Sequence, residues 1–421
     1  MATQTFHRHL ETASPTRRIV MGVVFLAAAL IIWIFFAMDV SGDTITTFVM
    51  NAARTLIEVP PLTLPTRAIL NAFAVVCAVL GGYQLARGFR KATNSILALV
   101  ISLLVIGFLI WAAAGKSLNL AGLISTTLLK AVPITLGALS GVLSERAGVV
   151  NIAIEGMMLA GALTSTVAAS LTGSLWIGLL AAILTGMLMA LLHGWLSIKY
   201  KVNQIVSGTV INIFSTGLTS YLSAKFLQQY QALNSPGTFQ PWAVPVLSDI
   251  PFLGSILFNN NLFVYAMFIL LILLQFALFY TKWGLRLRAV GEHPKAADTL
   301  GINVFRTRYM AVALSGMMAG VGGAYFVLGS VGRFDEVMTA GRGFIGLAAM
   351  IFGNWTPFGS FGAGLLFGFA DSLSSRLAIL GLPIAPEFLG MAPYIATMII
   401  LAGVIGRSQA PAADGEPYEK E

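Results

Sequence analysis

The sequence predicts an all-α, polytopic membrane protein of about twelve transmembrane helices, one of them short or re-entrant. Three observations carry that expectation. Of the 421 residues, 57% are hydrophobic and 10% charged, against about 25% charged in soluble domains, so the surface needs lipid to cover it. Apolar runs of about 20 residues, enough to cross a hydrocarbon layer of roughly 30 Å, recur along nearly the whole chain. The basic residues gather at alternate ends of these runs, as loops on the cytoplasmic side require.

In order, the runs fall at 19–38, 68–86, 95–114, 120–144, 148–170, 174–197, 204–224, 262–281, 309–329, 342–353, 358–376 and 391–406. The first follows Arg17 and Arg18, exceeds the apolar stretch of a signal peptide and lacks a small-x-small cleavage site. It reads as a retained anchor. The run at 342–353 is the short one. With the N-terminus inside, the even loops carry Arg87, Arg90 and Lys91, then Glu145 and Arg146, then Lys199 and Lys201. The richest holds Lys282, Arg286, Arg288, Lys295, Arg306 and Arg308, and Arg407 follows the last run. Outside loops hold Asp39, Asp43 and Glu58, alongside Arg54 and Arg67, then Asp249, then Asp335 and Glu336. Twelve spans with both termini cytoplasmic are self-consistent. The formal charge of +8 is thereby used up in orientation and gives no reason to invoke nucleic acid.

Residues 39–67 and 225–261 form long outside loops. From Gln409 the tail reads QAPAADGEPYEKE, polar with two prolines, and is expected to be disordered over 408–421. Glycines four apart, Gly137 with Gly141, Gly316 with Gly320 and Gly364 with Gly368, predict closely approaching helix backbones. Ala138-Leu139-Ser140-Gly141 recurs as Ala313-Leu314-Ser315-Gly316, a faint internal echo.

No catalytic constellation emerges. Cys77 is the lone cysteine, which excludes an internal disulfide and a multi-cysteine metal site. Gly115-Lys116-Ser117 ends like a phosphate-binding loop, but Ile110 stands where the first glycine is needed and the preceding run is a membrane span. The histidines, His7, His9, His193 and His293, show no metal-ligand spacing, and no metal site is expected.

Polar groups inside the spans are the better lead, since each costs at least about 2.5–3.5 kcal/mol at a helix centre and must face protein or a watery path. Asn151 and Glu155, four apart, are expected on one face of the fifth span. Asp371 lies deep in the eleventh, with Lys130 as a counter-charge. Asn203, Gln204 and Asn212 open the seventh span, and Asn354 and Trp355 follow the short one. Either structural pairing or a solute path lined by Asn151, Glu155, Asn212 and Asp371 would explain such groups. A stand-alone ion-coupled carrier would use buried carboxylates too, although it would need no cytoplasmic docking element.

A docking element is what the loop after Trp283 offers. Pro294-Lys295-Ala296-Ala297-Asp298-Thr299-Leu300 followed by Gly301 has proline at the start and glycine past the end of a short helix. Here the chain resembles a known family. Gly291-Glu292-His293-Pro294-Lys295-Ala296-Ala297-Asp298-Thr299-Leu300-Gly301-Ile302 is similar to the G-x-N-x-x-A-A-x-x-x-G-I signature of bacterial ABC importer permeases for sugars, nucleosides and branched-chain amino acids, with His293 where asparagine is usual. Ser144-Glu145-Arg146-Ala147-Gly148-Val149-Val150-Asn151-Ile152-Ala153-Ile154-Glu155-Gly156-Met157-Met158-Leu159 resembles a segment of the simple-sugar and nucleoside branch.

The resemblance covers roughly 120–406. It implies a permease core at 119–407 with about nine or ten of the helices, preceded by a three-helix extension at 1–118. It further implies that Gly291, Glu292, His293, Ala296, Ala297, Asp298, Gly301 and Ile302 form a coupling loop for two cytoplasmic ATP-binding subunits, which would use the ATP and Mg while this chain binds no cofactor. A second permease, a related paralogue, and an extracytoplasmic lipoprotein or periplasmic binding protein would complete the assembly in the lipid of a bacterial inner membrane. The solute implied is a nucleoside or simple sugar, with a branched-chain amino acid as the alternative.

Overall fold

Ten helices long and apolar enough to cross a bilayer occur among the described residues, and Arg342–Phe352 is the short helix expected there. The computed structural model describes residues 15–51, 58–380, 391 and 409–420. The expected twelfth span at 391–406 therefore lies almost wholly outside the described residues.

Two compact units divide the chain near residue 121. In the first, α1 (Pro15–Ile31) is followed by β1 (Ile45–Val49), β2 (Leu62–Pro65), α2 (Thr66–Ala86), α3 (Thr93–Ala112) and β3 (Ser117–Asn119). The strands form a small sheet in the order β2-β1-β3. Thr46 is buried there and its hydroxyl bonds that of Thr66 at 2.8 Å. The outward faces of these helices, with Val75, Val79 and Ile101 exposed, are as apolar as lipid requires.

The second unit holds α4 (Leu120–Glu145), α5 (Ile154–Thr172), α6 (Leu175–Gly194) and α7 (Gln204–Leu222). The loop beyond α7 contains β4 (Trp242–Ala243), α8 (Leu253–Leu257) and β5 (Asn259–Asn260), with β4 and β5 antiparallel. Then come α9 (Leu262–Tyr280), α10 (Lys282–Glu292), α11 (Pro294–Thr299), α12 (Val304–Phe326), α13 (Arg342–Phe352) and α14 (Pro357–Leu380). α5 and α12 lie at its centre, largely buried, and α6 packs on both.

The glycine spacing does the work expected of it in this packing. A Cβ on Gly316 would sit 2.3 Å from the Gly186 carbonyl oxygen, and one on Gly320 2.2 Å from that of Ala182. Backbones of α6 and α12 are thus in direct contact, the arrangement small residues permit in lipid. The internal echo also meets itself, because Ser140 and Ser315 share a 2.9 Å hydrogen bond between α4 and α12.

Two expectations are corrected. The fifth span starts at Ile154, since residues 148–153 are not helical, so Asn151 and Glu155 do not share a helix face. The tail, expected to be disordered, is ordered over 409–420 against the α10–α12 end of the bundle. Its sparse apolar side chains and backbone donors find partners on the folded core, which composition alone does not reveal.

Candidate functional site: a stapled helix break and a loop helix

The break between α4 and α5 is a polar construction. Buried non-helical backbone survives only where protein satisfies its N–H and C=O groups. Val150 N–H donates to Gln204 Oε1 at 2.7 Å, and the Val150 carbonyl lies 2.8 Å from His193 Nε2. His193 Nδ1 is 3.1 Å from Ser207 Oγ, so this fully buried histidine is bonded at both nitrogens. Ser144 Oγ donates to the Val149 carbonyl at 2.6 Å.

Asn212 clamps the end of the break to the first turn of α5, accepting from Gly156 N–H and donating to the Ile152 carbonyl, each at 2.8 Å. Asn151 folds inward, accepting from Ala153 N–H at 3.2 Å and donating to Ser315 Oγ at 3.0 Å.

Glu155 sits in the first turn of α5 and reaches the start of α13. Its Oε1 accepts from Thr339 Oγ1 at 2.6 Å and Gly341 N–H at 2.8 Å, and its Oε2 accepts from Gly343 N–H at 2.6 Å. A carboxylate there meets the free N–H groups and positive dipole end of that helix. Gly343 has to be glycine, because a Cβ would lie 2.7 Å from the Glu155 backbone.

Asp371 on α14 holds the same turn from another side, pairing with Arg342 at 3.3 Å and with Lys130 of α4 at 2.9 Å. Of the four candidate path residues, Asn151, Glu155 and Asn212 thus cluster at the break, while Asp371 stands apart and meets Glu155 only through the α13 turn.

Beside this turn lies an open cavity of about 520 Å³, lined by Glu155, Thr209, Asn212, Ile213, Thr216, Gly217 and Phe344. It opens on the face of α7 that carries the exposed Val210, Ile213 and Phe214. Glu155 and Asn212 stand out in the sequence as polar groups within spans, whereas Thr209, Thr216 and Phe344 at single positions look like ordinary span residues.

The expected loop helix forms as α11, with Pro294 at its first position and Gly301 left-handed just beyond it. His293 takes over a role asparagine fills well, its Nδ1 accepting from Ala296 N–H at 3.4 Å as an N-cap. Gly291 lies so close to α4 that a Cβ would be 2.2 Å from the Arg146 carbonyl oxygen.

Arg146 ties the loop to the segment after α13. It reaches Glu292 at 4.0 Å and donates to the carbonyls of Trp355 at 2.9 Å and Asn354 at 3.2 Å. Trp355, which follows the short helix, is buried and donates its indole N–H to Glu145 Oε2 at 2.6 Å.

On α11 the faces differ. Ala297 is 2% exposed, whereas Leu300 is 82% exposed and Glu292, His293, Lys295, Ala296, Thr299 and Gly301 also face outward. Asp298 and Ile302 are half-buried. A short helix presenting one large apolar side chain to water is shaped to enter a groove.

The model of the family described as "branched-chain amino acid transport system / permease component" matches residues 123–405. The guanosine ABC transporter permease protein NupQ of Bacillus subtilis is 42% identical over 307 residues, which are 71% of this chain and 96% of the relative. The nucleoside ABC transporter permease protein NupC of Lactococcus lactis is 42% identical over 311 residues, again 71% of this chain and 96% of the relative. The putative glucose ABC transporter permease protein TsgC13 of Haloferax volcanii is 33% identical over 324 residues, 72% of this chain and 98% of the relative. No solved structure matches the chain.

Proposed function

This chain belongs to the family of permease components of the branched-chain amino acid transport system, and from that membership we propose that it is the membrane-spanning subunit of an ATP-driven importer carrying a nucleoside or simple sugar across a bacterial inner membrane. The observation that carries the solute class is the extent of the likeness to guanosine and nucleoside permeases, which spans nearly the whole of each relative. The open cavity supports it. The half-exposed ring of Phe344 offers a face for a base, while the Thr209 and Thr216 hydroxyls are donated to carbonyls of α7 and leave their oxygens as acceptors for sugar hydroxyls.

Because this cavity opens on the exposed face of α7, a second permease, a related paralogue, would close it. Two cytoplasmic ATP-binding subunits would receive α11, one on each permease, and would use the ATP and Mg; this chain binds neither. An external lipoprotein or periplasmic protein would deliver solute at the opposite end, and both termini would lie on the ATP side. ATP binding would draw the ATPases together and displace α11 and, with it, the α4–α5 and α13–α14 junctions. The movement would reach those junctions through Glu292 of α10, which pairs with Arg146, itself bonded to the Trp355 and Asn354 carbonyls, and would alternate access to the cavity.

A branched-chain amino acid is the second reading, favoured by the family's own description. Uptake into vesicles carrying the full complex, with ATP inside, separates the two when labelled adenosine, ribose and leucine are compared. ATP-dependent adenosine uptake is expected. Leucine uptake would overturn the solute, and uptake driven by a proton gradient without ATP would overturn the importer.

A further inference from the structure

The ordered tail is bonded to the loop helix and to both helices that flank it in sequence. Gln409 N–H donates to Asn354 Oδ1 at 2.9 Å, Ala412 N–H to Glu292 Oε2 at 3.1 Å and Ala413 N–H to the Gly291 carbonyl at 2.9 Å. Arg308, 1% exposed on α12, donates to the Glu416 carbonyl at 2.9 Å. Tyr418 is buried with Val290, Ala297 and Val304, its ring 5.4 Å from that of Phe305. Lys420 pairs with Asp298 at 3.8 Å, and Glu419 pairs with Lys201. These contacts join α10, α11 and α12 to the α6–α7 loop and to the segment after α13.

The tail also chooses a side. It covers Ala297, on the inner face of α11, and leaves Leu300 and Thr299 outward and free. A segment blocking a docking helix would cover the outer face. This one fills the gap behind the helix, where α11, only six residues long, has little of its own to hold it.

We infer that residues 411–420 are a splint for the coupling helix, fixing α11 to the inner ends of the core helices so that movement of a docked ATPase is passed to the spans. The inference rests on the reading of α11 as the ATPase contact. Tyr418 is its principal positioning residue, and the tail's backbone bond to Gly291 is the second anchor. Without them α11 keeps its outer face but swivels on its connections, and hydrolysis proceeds with less solute moved.

The test uses the full complex in vesicles and reads two quantities, solute imported per ATP hydrolysed and the ATPase subunits retained on purification. Tyr418→Ala is expected to lower the import ratio at least threefold with the ATPase subunits still bound, while Tyr418→Phe, which keeps the ring, restores it. Ala413→Pro removes the N–H bonded to Gly291 from a segment outside the spans, and is expected to lower the ratio in the same way. An unchanged ratio in Tyr418→Ala and Ala413→Pro overturns the splint, and a raised ratio overturns it in favour of a brake.

Leu300→Asp, on the exposed face, is the control for the underlying reading. It should release the ATPase subunits. If they stay bound to Leu300→Asp, the assignment of α11 as their contact has failed, independently of the tail.

Discussion

A carboxylate in the first turn of a membrane helix must be bonded, paired or neutral, and Glu155 is bonded three times at the start of α13. Glu155→Gln keeps the size, but its amide cannot accept at both ends. At least one of Gly341 N–H, Gly343 N–H and the Thr339 hydroxyl loses its acceptor. The expected cost is about 1–3 kcal/mol, read as a lower midpoint of thermal unfolding in detergent together with reduced uptake. Uptake lost with the midpoint unchanged would instead place Glu155 in direct contact with solute.

Intramembrane polar residues were visible in the sequence as exceptions to an apolar pattern. Their partners were not, because Asn212 and the Ile152 carbonyl are 60 positions apart and such contacts leave no periodicity. Asp414 behaves differently. Burial pushes its carboxyl up to about 7 in the docked tail, opposed by its bond to Glu145 of α4 and the charge of Arg308 on α12. Released from the core, it returns to about 3.9. Between those values the docked tail holds more protons than the free one, so attachment is strongest below about pH 4 and weakens as pH rises through 7. Exchange of the Ala413 amide, corrected for its intrinsic rate, should therefore accelerate from pH 5.5 to 8, and Asp414→Asn should remove most of that change.

At the scale of elements, α11 was legible because its punctuation is local, with proline at one end and glycine at the other. The tail was illegible for the opposite reason, since what orders it is Arg308, Val290 and Phe305, more than a hundred residues upstream. The same contacts change which substitutions are informative. Ala297 lies beneath Tyr418, so Ala297→Arg forces a charge into a small apolar core and disturbs the loop itself, whereas Leu300→Asp alters only the outer face. The cap is separable from both. His293→Ala removes the acceptor for Ala296 N–H, costs about 1 kcal/mol of local helix stability and should lower uptake, whereas His293→Asn should support uptake at least as well as the native histidine. Equal uptake by the Ala and native proteins would show that the capped state of α11 does not limit transport.

Across the whole molecule, hydropathy and basic loops gave the membrane class and ten of the spans, because both follow from lipid as a solvent and need no knowledge of packing. Where α5 begins did not follow from hydropathy. Residues 148–153 are nearly as apolar as a helix, and the polar side chains of α4, α6 and α7 that satisfy their backbone mark them as a break. The three-helix extension before residue 119 has apolar outer faces and a buried interior of its own, with Phe25, Leu70 and Cys77 fully covered. The family match begins at residue 123, and each relative is covered almost entirely by about 71% of this chain. The break, the cavity and α11 all lie downstream. A chain starting at residue 119 behind an initiator methionine is therefore expected to insert and to import solute per ATP within about twofold of the full protein, measured in the same vesicle assay. A truncated chain that inserts, retains its ATPase subunits and yet fails to transport would assign the extension a direct part in the transport cycle.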